Sequence, residues 1–469
     1  MKYLDLEEDK VKDSCGVFGI YSTTKRDLAS VLYYGLYALQ HRGQEAAGMA
    51  IADNDRIKYY KNIGLVGEVF ANNLDSLPEG DVALGHVLYD SRVKKGENNV
   101  VNTQPIVFKG KMGFFSLAMN GKITNCEQLR TELVDEGRVF QTRIDIEVIG
   151  TLINKYYDKN DVLKGIKNAI SKLEGSFAMV VITTNELFAI RDKYGLRPLC
   201  YGKYFDDYYV ASESCAIDAT EATFVRDIKA GEILKIDHTG LESIYLDNVD
   251  AHPCIFEYVY TARCDSVIDS TSVYEARFNC GRMLAKTFDK QVDLVAGVPD
   301  SAIVAARGFS AESGIPYVDV LEKNRYVGRT FIQPNQMQRE NSVKIKLNGH
   351  RANICGKRIA LVDDSLVRGT TSKKIVELLK NLGAKEVHLI LASPMVKHPC
   401  YTGIDIESYD QLLAANYSVK EMQNLIGCDS IHFMRIEDLV KCCKSKDNKT
   451  FCSACFDKKY YGVCPEGDK

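Results

Sequence analysis

Two adjacent carboxylates and a glycine-containing turn form the stretch of this 469-residue chain that is most suited to chemistry. Asp363 and Asp364 come after four apolar residues, 359–362, and before the turn 365–371 and a helical pattern over 372–382. This order predicts a buried strand, a loop and a helix.

The turn that opens this predicted helix suits a phosphate group. It directs several backbone N–H groups and the positive end of the helix dipole at one point. The two acids can bind a ribose diol or a hydrated Mg²⁺ ion. The stretch therefore predicts a site for a sugar phosphate with its metal, and an ordinary turn with helix-capping Asp and Thr side chains is the alternative.

A cysteine begins the first apolar strand pattern, residues 15–20 (CGVFGI), and the fourteen residues before it show no strand or helix pattern. A single cysteine in such a place is commonly a core residue. If residues 1–14 are a leader that is removed, Cys15 carries the free α-amine. An α-amine with a pKa near ~7.7 can accept the thiol proton at neutral pH.

The composition excludes several classes of protein. A net charge of −3 without a basic tract argues against nucleic acid as a partner. No apolar run approaches the ~20 residues that span a bilayer, and the acidic N-terminus lacks the apolar centre of a secretory signal. Fifteen cysteines, an odd number, favour a reducing, cytoplasmic location and metal binding or catalysis over disulfides.

Three stretches carry a family resemblance. Residues 358–376 (RIALVDDSLVRGTTSKKIV) resemble the PRPP-binding motif of type I phosphoribosyltransferases. Residues 15–20 and 39–49 (LQHRGQEAAGM) resemble the glutaminase domain of class II, Ntn-type amidotransferases. From about residue 13 to 462 the chain resembles glutamine PRPP amidotransferases, specifically their propeptide-bearing iron–sulfur type.

This resemblance implies a fold of mixed α/β and α+β class. A propeptide, 1–14, would precede an Ntn-hydrolase αββα sandwich, 15–250. A type I phosphoribosyltransferase domain with a parallel sheet would follow over 251–469 and end in a helical, cysteine-containing segment. The implied reaction converts glutamine, PRPP and water to 5-phosphoribosylamine, glutamate and pyrophosphate, the first step of de novo purine synthesis. The resemblance also implies a Mg²⁺ ion at the PRPP site, a homotetramer and feedback inhibition by purine nucleotides.

The resemblance assigns roles in the glutaminase half. Cys15 would be the nucleophile, and Asn120 and Gly121 would form the oxyanion hole, although an Asn-Gly pair is more often a hairpin turn. Asp145 would bind the α-amino group of glutamine, and Arg42 would line the same pocket.

One position departs from the family pattern. Residues 85–89 are Gly-His-Val-Leu-Tyr, and Leu88 stands where the family has an arginine that binds the glutamine α-carboxylate. Losing that pair costs on the order of 1.5–3 kcal/mol, so we expect weakened glutamine binding unless Arg92 substitutes. Met119 and Ile146 depart from the family's His and Thr in the same way.

The resemblance also assigns the PRPP site. Ser301, with Asp363 and Asp364, would lie at the Mg²⁺ ion, although its Pro-Asp-Ser context is also a common turn. The cationic segment 322–347 would fold over PRPP as a lid, and a solvated loop is the alternative. The residues expected to bind PRPP are Asp363, Asp364, Arg368, Gly369, Thr370, Thr371, Ser372, Lys323 and Arg325.

Four cysteines would hold a [4Fe–4S] cluster in the iron–sulfur type of this family, namely Cys254, Cys400, Cys452 and Cys455. A structural zinc ion and free buried thiols are the alternatives, because the chain has only one C-x₂-C pair and other cysteines lie nearby in sequence. Two rival functions also stay open: an ammonia-dependent paralogue with an impaired glutamine site, and a non-catalytic PRPP or nucleotide sensor.

Overall fold

The computed structural model describes residues 15–89, 99–158, 161–324, 347–406, 408–445 and 449–462. The predicted leader, Arg92, Arg325 and most of the predicted lid lie outside these residues. In the part of the chain that is described, no helix is long and apolar enough to cross a membrane.

The N-terminal half contains two large antiparallel sheets. Its elements are β1 (Gly16–Arg26), α1 (Leu28–Ala38), β2 (Ala46–Asp53), β3 (Arg56–Ile63), α2 (Val66–Phe70), β4 (Gly80–Leu88), β5 (Ile106–Gly110), β6 (Gly113–Ile123), α3 (Cys126–Asp135), α4 (Asp145–Tyr156), α5 (Val162–Ile170), β7 (Gly175–Thr183), β8 (Leu187–Arg191), β9 (Cys200–Tyr204), β10 (Asp207–Ala211), α6 (Ser214–Asp218), β11 (Thr223–Asp227), β12 (Glu232–Asp237) and β13 (Gly240–Tyr245). The strand orders are β11-β9-β10-β1-β4-β2-β3 and β13-β12-β8-β7-β6-β5.

These sheets form the two inner layers of an αββα sandwich. Strand β1 shows why, because successive side chains of a strand point to opposite faces. Phe18 and Ile20 lie in the apolar layer beneath α1, α2 and α6, whereas Val17 lies in the layer between the sheets. Helices α3, α4 and α5 cover the outer face of the second sheet. The predicted four-layer fold is confirmed.

The C-terminal half is built on a four-stranded parallel sheet. After a π-helical turn, Glu257–Thr261, it contains β14 (Val267–Ile268), β15 (Thr271–Ser272), α7 (Val273–Thr287), β16 (Leu294–Gly297), α8 (Ile303–Ser313), β17 (Leu321–Lys323), β18 (Leu347–Gly349), α9 (Arg351–Ile354), β19 (Arg358–Asp363), α10 (Thr370–Asn381), β20 (Glu386–Leu391), α11 (Leu413–Asn416), α12 (Val419–Ile426), β21 (Ser430–Phe433), α13 (Ile436–Cys443) and α14 (Ala454–Asp457). The sheet order is β16-β19-β20-β21, with every pair parallel.

The predicted strand, loop and helix around the two acids are present. Residues 359–362 are buried in β19, as a continuous apolar run in a covered parallel strand should be. Helix α10 begins at Thr370, two residues earlier than its apolar spacing indicates. Gly369 precedes it with a φ of 81°, a left-handed conformation that glycine adopts without a Cβ clash.

Candidate functional site

Cys15 lies immediately before β1, directly opposite the end of β4. Gly16 is paired with Val87, so the next antiparallel position places Cys15 beside Leu88. Cys15, Leu88 and Ala46 pack together as a small apolar cluster, and the Cys15 thiol donates to the Tyr89 carbonyl at 3.8 Å. The predicted nucleophile is thus buried against the residue that departs from the family pattern.

Asn120 and Gly121 lie inside strand β6, so the hairpin-turn alternative is wrong. Gly121 has a φ of 143°, and a Cβ there would overlap the Ser176 carbonyl oxygen, so only glycine fits. The Asn120 side chain is fully buried, and its amide nitrogen and oxygen have no hydrogen-bond partner among the described residues. Because an unpaired buried amide is costly, this side chain is suited to a ligand.

Two side chains that the sequence interpretation did not assign hold the residue before Asn120. His86 Nε2 lies 3.2 Å from the Met119 carbonyl, and the Met119 N–H donates to Gln104 Oε1 at 2.8 Å. Burial lowers the pKa of His86 to about 3, with a smaller contribution from Lys61. The only sequence signal for His86 was its place in the stretch 85–89, in which Leu88 departs from the family pattern.

Asp145 begins helix α4, and its carboxylate accepts the Ile123 N–H at 3.0 Å, two residues beyond Gly121. Burial, with the nearby Asp145 charge, raises the pKa of the Cys126 thiol to about 12. Asp145 is therefore near the predicted oxyanion strand, and its predicted contact with the glutamine α-amine stays a prediction.

Arg42 is fully buried at the junction of the two halves. Its Nε donates to Glu213, and its Nη2 donates to Glu257 Oε2 at 2.6 Å. Arg197, also fully buried, forms an ion pair with the other oxygen of Glu257 at 3.3 Å. The structure thus gives Arg42 partners that sequence did not indicate, and pocket lining stays a prediction.

Glu213 accepts hydrogen bonds from several groups at this junction. The Ser266 hydroxyl and the Arg263 N–H donate to its Oε2 at 2.6 and 2.9 Å, and His41 Nε2 lies 2.7 Å from its Oε1. Burial alone would raise the pKa of the Glu213 carboxyl, but Arg42 and His41 reverse this and hold it well below its usual range. The group is ionised, as its surrounding cations require.

The predicted PRPP residues meet at the carboxyl edge of the parallel sheet. Asp363 and Asp364 are nearly fully buried, and Ser301, from the loop after β16, donates to Asp364. Ser365 donates to the other oxygen of Asp364 at 2.7 Å. The hydroxyl oxygen of Thr370 is buried without a partner in the described structure, at the first turn of α10.

The remaining predicted PRPP residues lie around this edge. Thr371 and Ser372 are buried in the first turn of α10, and Arg368 donates to Gln411 at 2.7 Å. Lys323 ends β17 and contacts Asp300 at 2.6 Å, in the loop that also carries Ser301. Arg325 lies outside the described residues.

The four predicted cluster cysteines come together from three distant stretches of the chain. Cys254 and Cys452 form a backbone bridge, in which the Ile255 N–H donates to the Cys452 carbonyl at 3.2 Å. Burial raises the pKa values of Cys254, Cys452 and Cys455, and neighbouring thiols, including Cys400, add to the effect. Within the described residues, no three His, Cys, Asp or Glu side chains converge closely enough to hold one metal ion.

Comparison with known proteins covers both halves. A sequence model described as a glutamine amidotransferase domain matches residues 92–219, and one described as a phosphoribosyl transferase domain matches residues 270–416. Amidophosphoribosyltransferase from Methanocaldococcus jannaschii is 44% identical over 95% of this chain and 97% of that protein. The Bacillus subtilis enzyme of the same name is 43% identical over 96% of this chain and 94% of its own length.

Two solved structures are similar over almost the whole chain. One is described as the allosteric regulatory enzyme of purine biosynthesis, with a TM-score of 0.90, 42% identity and coverage of 97% of this chain and 98% of that one. The other is glutamine PRPP amidotransferase from B. subtilis complexed with ADP and GMP, with a TM-score of 0.88, 42% identity and coverage of 96% and 98%.

Proposed function

This chain belongs to the amidophosphoribosyltransferase family, and we propose that its two halves make and consume ammonia in sequence. It is a phosphoribosyltransferase with a glutamine amidotransferase domain, and it catalyses the first step of purine biosynthesis. Similarity at 44% identity over 95% of the chain carries this conclusion, because it spans both halves. The reaction consumes glutamine, PRPP and water and releases 5-phosphoribosylamine, glutamate and pyrophosphate.

In the glutaminase half, we assign the nucleophile to the Cys15 thiol. It attacks the side-chain amide carbon of glutamine, the amide nitrogen leaves as ammonia after protonation, and water hydrolyses the thioester to glutamate. Removal of residues 1–14 would free the α-amine of Cys15 to accept the thiol proton. The unpaired Asn120 amide and the glycine-only position at Gly121 support an oxyanion hole at this point. Asp145 would bind the substrate α-amine, and Arg42 would line the pocket from the junction.

In the phosphoribosyltransferase half, we assign PRPP to the edge where β19 ends. Asp363 and Asp364 would bind the ribose hydroxyls, and the turn with its N–H groups and hydroxyls would bind the 5-phosphate. Ammonia then attacks C1 of PRPP and pyrophosphate leaves with the bonding electrons. The turn residues proposed for the phosphate are Arg368, Gly369, Thr370, Thr371 and Ser372, and Lys323 and Arg325 would contact the pyrophosphate.

A Mg²⁺ ion fits this edge. Two buried carboxylates and the Ser301 hydroxyl provide oxygen ligands, which Mg²⁺ prefers. Asp363, Asp364 and Ser301 would hold the ion, which would neutralise charge on the leaving pyrophosphate.

We assign the four cysteines to a [4Fe–4S] cluster, with a structural zinc ion as the alternative. The nearness of these cysteines, Cys254, Cys400, Cys452 and Cys455, supports a shared set of ligands. Iron and sulfide analysis of anaerobically purified protein tests this, and one zinc per chain without sulfide would reject the cluster.

The proposal also covers the domain boundaries, the feedback inhibitors, the oligomeric state and the location of the protein. We divide the chain into propeptide 1–14, glutaminase domain 15–250 and phosphoribosyltransferase domain 251–469, which agrees with β13 ending at Tyr245. The B. subtilis structure described with ADP and GMP supports purine nucleotides as feedback inhibitors. A homotetramer and a cytoplasmic location complete the proposal.

Pyrophosphate release from PRPP and Mg²⁺ tests the function directly. We expect release with glutamine and with ammonium, and loss of only the glutamine-dependent reaction in Cys15→Ser. Intact mass shows in the same sample whether residues 1–14 have been removed. If the protein releases no pyrophosphate with glutamine and none with ammonium, the proposal is wrong.

A second candidate function is favoured by the packing of Leu88 on Cys15. An apolar side chain over the nucleophile, without the family's arginine, is what an ammonia-dependent paralogue would carry. Pyrophosphate release with ammonium but not with glutamine, from processed protein, would establish that alternative. A non-catalytic sensor would show neither reaction.

A further inference from the structure

The peptide groups around Met119, the residue before Asn120, are held by two buried side chains. His86 contacts the Met119 carbonyl and Gln104 accepts its N–H. We propose that His86 and Gln104 are positioning residues of the glutaminase reaction, which set the oxyanion strand relative to Cys15. This inference rests on the proposed roles of Cys15, Asn120 and Gly121.

Strand β6 needs these partners because, within the described residues, β5 does not extend along its edge beyond Leu117. β5 pairs with β6 only as far as the pair Ile106 and Leu117, while β7 continues along the other edge to Ile123. A buried N–H or carbonyl beyond the end of β5 must find another partner. Gln104 and His86 supply one acceptor and one donor at Met119. Backbone groups alternate along a strand, so the N–H of Gly121 belongs to this same edge.

His86 connects this edge to the strand of the nucleophile. It lies on β4 of the first sheet and is paired with Val17, two residues after Cys15. Its imidazole crosses the space between the sheets to the Met119 carbonyl, 3.2 Å away. One side chain therefore links β4, which is paired with the strand that follows the nucleophile, to β6, which carries the proposed oxyanion hole.

The chemistry of His86 and Gln104 fits a role in positioning the strand rather than in proton transfer. Because burial keeps His86 neutral, the Nε2 that faces a carbonyl carries its proton and donates it. The backbone on both sides of Gln104 is held by Lys61, whose ammonium donates to the carbonyls of Thr103 at 2.6 Å and Pro105 at 3.1 Å. Neither residue exchanges a proton in this arrangement, so both act by fixing position.

The test compares His86→Leu, which removes the donor, with His86→Gln, whose side-chain N–H can reach the same carbonyl. We expect His86→Leu to lower the glutamine-dependent kcat by about 10- to 100-fold with KM for glutamine nearly unchanged, because misplaced oxyanion donors weaken only the transition state. We expect His86→Gln to recover most of kcat. Gln104→Leu should behave like His86→Leu.

Two further measurements in the same preparations separate positioning from folding. Ammonium-dependent pyrophosphate release uses only the other half of the chain and should be unchanged. Alkylation of Cys15 by iodoacetamide, which forms no oxyanion, should also keep its rate.

Three results would overturn the inference. They are equal kcat values for His86→Leu and wild type, equal losses in His86→Leu and His86→Gln, or a parallel loss of the ammonium-dependent reaction. An inactive glutaminase in the processed wild type would instead reject the proposed glutaminase function, and the inference with it.

Discussion

The side chain of Leu88 packs against Cys15, so the residue opposite the predicted nucleophile is apolar rather than cationic. A glutamine molecule bound at the proposed nucleophile would bring its α-carboxylate into the same pocket. Leu88 cannot donate a hydrogen bond to that carboxylate. The guanidinium group of Arg42 already pairs with Glu213 and Glu257.

Restoring an arginine at this position should strengthen glutamine binding. We expect Leu88→Arg to lower the KM for glutamine by roughly 10- to 100-fold, since a charge-assisted pair is worth about 1.5–3 kcal/mol. Leu88→Met is the matched control and should leave KM unchanged. If Arg92 already binds the carboxylate, Leu88→Arg will change nothing and Arg92→Ala will raise KM.

Replacing Gly121 should damage both stability and glutaminase activity. Its φ of 143° and its contact with the Ser176 carbonyl leave no room for a Cβ. We expect Gly121→Ala to reduce the free energy of unfolding by about 2–4 kcal/mol. Gly113→Ala, in the same strand at a φ of 85° with open space around it, should cost only about 1 kcal/mol by chemical denaturation. Equal losses would show that steric overlap is unimportant.

The buried neutral His86 predicts a specific loss of stability in acid. Its pKa is about 3 in the folded chain and 6.5 when unfolded, so only the unfolded chain takes up this proton between those values. Stability from this residue is therefore constant above pH 6.5 and falls as the pH drops towards 3. Denaturation at a series of pH values should show a shallower acid loss in His86→Gln than in wild type. Parallel curves would contradict the neutral assignment.

Glu257 should be essential for joining the two halves. It is buried between the guanidinium groups of Arg42 and Arg197. Removing its charge leaves two buried cations less compensated, and we expect Glu257→Gln to cost about 3–5 kcal/mol in thermal or chemical unfolding. Glu312→Gln, which breaks a surface pair with Arg282, should change little. A small effect at Glu257 would mean that water enters the junction.

Asp363 should be required for PRPP but not for glutamine. We expect Asp363→Asn to weaken Mg²⁺-dependent PRPP binding at least about tenfold by calorimetry, because a carboxylate ligand is lost. Iodoacetamide labelling of Cys15 should be unchanged. Asp293→Asn is the control, since Asp293 pairs with Arg358 at the opposite end of the sheet. Equal PRPP binding by Asp363→Asn and Asp293→Asn would show that the Asp363 carboxylate does not bind PRPP or its metal.

Sequence reasoning was most successful where one short segment determines its own structure. The apolar run before Asp363, the glycine at 369 and the helical spacing after it are all local signals, and the structure confirms the resulting strand, loop and helix. The αββα layers were predicted through family resemblance rather than from periodicity.

Local sequence signals failed where a contact between residues far apart in the chain determines the structure. Asn-Gly usually makes a turn, but pairing with β7, more than fifty residues later, keeps Asn120 and Gly121 in a strand. The contact between Arg42 and Glu257 joins residues 215 positions apart. Composition shows that such charges exist and cannot show which of them meet.

The Arg42–Glu257–Arg197 junction has a consequence for how this enzyme can be dissected. Both guanidinium groups belong to the first half and the carboxylate between them to the second. A polypeptide cut between residues 246 and 253 would yield fragments in which Arg42 and Arg197 on one side and Glu257 on the other lose their partners across the junction. Produced alone, each fragment should aggregate or unfold, whereas the two produced together in one cell should reassociate through these ion pairs.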